Sequence, residues 1–169
     1  MAITELLIKL LETEAPISRR VLEQVPEGKA DWKPHEKSMA MGYLATLVAT
    51  MPDWIAMMIR QDSLDLKPAS GAGYKPPATD TKEKLLAAAD AAVGHAREAL
   101  RSTNDKFLET KWQLLVGGHV VDENPRHMAI ASTFTHLGHH RGQLTVYLRL
   151  NGAKVPSVYG PSADDRTFG

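Results

Sequence analysis

The stretch NPRHMAIASTFTHLGHHRGQLTVYLRLNG, Asn124 to Gly152, decides the fold. Ile130, Phe134, Leu137, Leu144 and Leu148 recur at helical spacing and define one buried face. Asn124 is placed to cap this helix, with Pro125 at its first position, where a missing N–H costs nothing. Asn151-Gly152 supplies its stop. A helix of this length needs partners for its apolar stripe, and the rest of the chain is read for them.

Upstream, KWQLLVGGHVV alternates and turns at Gly117-Gly118, which predicts a small hairpin or an extended loop. Before it, Leu85, Leu86, Ala89, Val93, Ala96 and Leu100 mark a third helix near Lys82–Arg101. The second helix is expected to be capped by Ser38, with Leu44, Leu47, Val48, Met51, Ile55 and Met58 inward and a bend at Pro52. The first is expected to be capped by Thr4 and disturbed near Pro16. VPEGKADWKPHEKS and LKPASGAGYKPPATDT are the long connections, and GAKVPSVYGPSADDRTFG is a structured or loosely docked tail. The expectation is one all-α domain over residues 1–169: a four-helix bundle with long crossover connections and a small hairpin or extended loop before helix four.

The 169 residues carry 20 Lys plus Arg and 20 Asp plus Glu, so the formal charge is zero. A nucleic-acid binder would be expected to carry a basic excess. The absence of cysteine removes disulfides, thiolate ligands and a thiol nucleophile. No stretch has the ~18 apolar residues of a membrane span. The acid-bearing N-terminus does not read as a signal peptide. These features point to a cytoplasmic domain without nucleic acid or membrane partners.

Three of the seven histidines fall within residues 136–140. His136 and His140 are one turn apart on the edge of the buried face, in a stripe continued by Gln143 and Tyr147. His139 falls away from that stripe. Such a pair is a two-point chelate for a metal ion, or a polar pair hydrogen-bonded to Tyr147, Gln143 or a carboxylate; spacing leaves both open. Arg141 lies near the apolar face and requires a partner, for which Asp53, Glu36 or Asp164 are candidates. Gly142 reads as a place of close helix approach.

The run HLGHHRGQLTVYLRLNG followed by VPSVYGPSAD resembles the DinB-like family. DWKPHEKSMAMGYLA and WQLLVGGHVVDENPRHM resemble its Trp-x-Pro loop and its Gly-Gly and Pro-Arg connection. The resemblance spans nearly the whole chain. It implies a four-helix bundle, a homodimer, and a three-histidine metal site between helices two and four. On this chain the site's helix-four pair is His136 and His140, and its helix-two position is Leu47. Leucine offers no lone pair. The implied divalent ion (Zn, Ni or Mn) therefore lacks one ligand, which His119 or a second subunit would have to replace. Relatives in the wider family transfer low-molecular-weight thiols or isomerise thiol adducts. Two readings follow: a metal-dependent thiol transferase or hydrolase-like enzyme acting on a small molecule in a cleft of Met51, Trp54, Met58, Tyr147 and Trp112, or a metal-free dimeric ligand-binding or structural module. Whether the chain is an enzyme, and which residues would be catalytic, stays open.

Overall fold

A computed structural model describes residues 1–71 and 77–167. Among these residues the fold is mostly helical but not all-α: six helices accompany a three-stranded sheet. The order is α1 (Ile3–Glu23), α2 (Met41–Thr50), α3 (Asp53–Arg60), β1 (Ser63–Asp65), α4 (Lys82–Arg101), α5 (Asp105–Leu108), β2 (Lys111–Val116), β3 (His119–Pro125) and α6 (Arg126–Leu150). The four expected helical segments are present, but the second is two helices.

Pro52 is the reason. It has no N–H to give Val48, and the chain bends by 50° between α2 and α3. α1 runs through Pro16 as a single helix. The expected caps differ from the observed ones. Ala2, not Thr4, precedes α1, and the cap comes from across the fold. The Asp105 carboxylate accepts from Ile3 N at 2.9 Å, Thr4 N at 3.0 Å and Thr4 Oγ1 at 3.0 Å. Those bonds hold its carboxyl below the usual range. Ser38 caps nothing: α2 begins after Ala40, and its first amides donate to the preceding loop, Met41 N to Trp32 O and Gly42 N to Ala30 O. A Cβ on Gly42 would meet that of Ala30 at 3.0 Å, so a side chain there needs the Ala30 segment to give by a few tenths of an ångström. Asn124 lies in β3 opposite Trp112, and Pro125 precedes α6.

The expected hairpin is β2–β3, antiparallel, with an irregularity at Leu114/Leu115. β1 was not foreseen. It pairs in parallel with β2, Leu64 opposite Leu114. Three residues show no period that could announce a strand; Asp65 holds it by accepting from Gly117 N and Gly118 N, both at positive φ in the hairpin turn. Part of the long Leu66–Thr81 connection, residues 72–76, lies outside the described residues.

The core has two lobes. Val21, Leu44, Val48, Leu137, Leu144 and Leu148 belong to one. Leu7, Ile55, Leu100, Trp112, Ile130 and Phe134 belong to the other. Trp54, just past the bend, packs against both. The tail is docked: Asp165 accepts from Ser157 N at 3.0 Å, and Asp164 from Val155 N at 2.9 Å and Arg149 Nη2 at 2.6 Å. No single described helix is long and apolar enough to cross a membrane.

Candidate functional site

α6 carries the histidines past a groove walled by α2, α3 and β1. Two adjoining cavities lie in it. One, about 430 Å³, is lined by Trp54, Met57, Met58, Trp112, Thr133 and His136. The other, about 520 Å³, is lined by Tyr43, Thr46, Leu47, Thr50, His136 and His140. Trp54, Leu64, Leu66 and His136 border both. These volumes lie in the range of small-molecule sites, and most of the lining is apolar.

His136 and His140 come together as their spacing requires. Their Nε2 atoms are 2.8 Å apart, and their ring centroids 4.6 Å. His140 is buried at 8% exposure, whereas the His136 ring stands more open, tilted against Trp54 at 5.5 Å. The amide oxygen of Gln143 lies 2.8 Å from His140 Nδ1 and can only accept, so that nitrogen carries a proton. In neutral His140 the Nε2 is then the acceptor, and His136 Nε2–H donates to it. The Gln143 amide donates in turn to His139 Nε2 at 3.0 Å. Burial, and then the neighbouring imidazoles, push the His136 pKa below its ordinary value.

Leu47 lines the same cavity as both histidines, half-buried, while Leu44, Val48 and Met51 behind it are fully buried. Among the described residues no group of three His, Cys, Asp or Glu side chains is placed to hold a metal ion. His119 sits at the hairpin turn beside Asp65 and lines neither cavity. The donor set is two imidazoles facing a hydrocarbon, which does not fit a three-histidine centre. Two imidazoles on one tetrahedral ion at ~2.0–2.1 Å would also stand ~3.3 Å apart, wider than the hydrogen-bonded pair.

A model of the DinB family matches residues 1–167. The chain belongs to the DinB family. Two solved DinB-like proteins share its fold. One, from Bacillus subtilis, has a TM-score of 0.68 at 19% identity, over 95% of this chain and 99% of that one. The other, from Bacillus cereus ATCC 10987, has a TM-score of 0.68 at 20% identity, over 90% and 95%. No curated protein matches the chain in sequence.

Other parts of the expected DinB cleft differ. Trp54, Met58 and Trp112 do line it. Met51 does not; at 0% exposure it is packed in the core. Tyr147 is also withdrawn, edge-on to Trp32 at 5.4 Å with its hydroxyl donating to Met39 O at 3.2 Å. Arg141 finds none of the expected acids. It pairs at 2.6 Å with Glu14, a residue of α1, while Asp53 accepts from His95 and Asp164 from Arg149. Gly142 faces open space; the glycine under the tail is Gly138, where an added Cβ would meet Tyr159 Oη at 3.5 Å. Leu64 and Leu66 were missed as site residues because β1 was missed. Thr46, Met57 and Thr133 were missed because the sequence does not reveal which side of each helix meets the groove.

Proposed function

We propose that this DinB-family chain binds a small, largely apolar molecule in the groove between α3, β1 and α6, with the His136–His140 pair as its polar anchor and no resident metal. One observation carries this reading: Leu47 lines the cavity that holds both histidines, and among the described residues no third ligand is grouped with them. The remaining lining, two tryptophans, methionines and leucines with Thr133 and Asn124 among them, supplies an apolar slot with a few directional polar groups. Burial, and then the neighbouring imidazoles, lower the His136 pKa from its ordinary value, which favours the neutral ring. In that form it hydrogen-bonds without carrying charge into the slot.

A metal-dependent thiol transferase or hydrolase-like activity is the second reading. Gln143 favours it, since a partner on Nδ1–H is what orients a metal-ligating imidazole. Protein dialysed without chelator and analysed for zinc, nickel and manganese separates the two. Metal well below one ion per chain, rising toward one in Leu47→His, supports the metal-free reading. Stoichiometric metal in the native chain overturns it. We further propose a cytoplasmic homodimer, supported by Tyr43, Val146 and Leu150, which expose apolar side chains on α2 and α6. Sedimentation at micromolar concentration tests the assembly.

A further inference from the structure

On the other side of α2 lies a separate cavity of about 320 Å³, between α1, the α2–α3 bend and α4. It shares no lining residue with the histidine groove: Val48, Ala49 and Pro52 face it, whereas Leu47, Thr50 and Trp54 face the groove. Pro16, within the continuous α1, and Pro52, at the bend, both line it. Ala15, Ala49 and Ala89 leave the space between them unfilled.

The apolar wall is Leu11, Leu22, Val48, Val93 and Leu137. Four charged side chains complete the lining, and three have partners. Glu14 is held by Arg141 at 2.6 Å and accepts from Tyr159 Oη at 3.0 Å. Asp90 accepts from Arg19 Nε at 3.0 Å, and Arg19 also pairs with Glu23. Arg97 is half-buried on α4 and forms no ion pair or side-chain hydrogen bond with a described residue. An unpaired guanidinium at the edge of an apolar cavity is a fork for a planar anion.

We propose that this cavity is a second binding site, for a small monoanionic carboxylate with a short apolar body. The carboxylate pairs with Arg97, and the body lies along Leu22, Val48 and Val93. Glu14 does not repel it, because its charge is already neutralised from the α6 side. The site is independent of the histidine groove and of whether that groove holds a metal.

Octanoate and octan-1-ol are the probes. Titration calorimetry of the full chain, with ¹H–¹⁵N and methyl spectra, should show octanoate binding with shifts centred on Ala49, Ala89 and Val93. Octan-1-ol should bind at least tenfold more weakly. Arg97→Gln should weaken octanoate at least tenfold, Arg97→Lys should retain most of the affinity, and His136→Ala should leave it unchanged. Any of four results overturns the proposal: no octanoate binding, equal affinity for the alcohol, Arg97→Gln binding like the native chain, or shifts centred on Trp54 and His136.

Discussion

Replacing Glu14 by leucine tests how much the buried ion pair between α1 and α6 contributes to stability. Arg141 is 0% exposed. Its Nη2 donates to Glu14 Oε2 at 2.6 Å and also to Tyr159 Oη; its Nη1 donates to Ser18 Oγ at 2.9 Å and Glu14 O at 3.3 Å. Nε has no partner among the described residues. Glu14→Leu removes the carboxylate that, among the described residues, pairs with this guanidinium, and leaves a buried cation. That class of change costs about 3–5 kcal/mol. With a urea slope near ~2 kcal/mol per molar, the unfolding midpoint falls by ~2 M. The double variant Glu14→Leu/Arg141→Met removes both charges and recovers most of the loss, because hydrocarbon of similar volume replaces a desolvated pair. Tyr159→Phe, at the outer end of the network, costs about 1.5 kcal/mol. The assay is equilibrium urea unfolding followed by far-ultraviolet circular dichroism on all four proteins. A midpoint shift under 0.5 M for Glu14→Leu (roughly 1 kcal/mol on the same slope), or a double variant no better than the single one, would refute the reasoning.

Arg126 is the other buried cation: it donates to Thr110 Oγ1, Met58 O, Gln61 O and Asp62, and lies 4.6 Å from the Phe107 ring centroid. Arg126→Met leaves the carbonyls at the end of α3 without this donor and is expected to cost about 3 kcal/mol in the same urea assay. Gly118 turns the hairpin at φ 81° and gives its N–H to Asp65; Gly118→Ala forces an L side chain into that region and is expected to lose about 1–2 kcal/mol by thermal unfolding. Asp165 is held down to about 2, first by the Ser157 N–H and then by Thr167. Its folded value lies below the unfolded one, so its contribution to tail docking is present above pH ~4 and is lost as pH falls toward 2. Protection of the Ser157 amide, corrected for the intrinsic pH dependence of exchange, should fall over that window, and Asp165→Asn should remove the dependence.

The histidine site was legible only in part. An i, i+4 pair on α6 has no choice but to stack, and Leu47 could be placed opposite it by resemblance. The acceptor for His140 was one of three candidates, and Gln143 is the one at 2.8 Å. Arg141 required a partner, but any acid near the closing face would have served on paper. Glu14 is 127 residues away in sequence and is chosen by how α1 docks on α6.

Local chemistry alone determined the main helices and their approximate ends, because a 3.6-residue apolar period and breakers such as Gly152 and Pro52 act within a turn or two. It also determined the hairpin, through alternation and the Gly117-Gly118 pair. Tertiary structure decided the rest. Caps arrive from elsewhere: Asp105 serves α1, and the Trp32 and Ala30 carbonyls serve α2. β1 exists because β2 offers a free edge and Asp65 can reach the hairpin turn, not because three residues favour extension. The cavities, like the partners of the buried charges, are properties of surfaces that meet only when the helices pack, and no periodicity along one segment encodes what will face it.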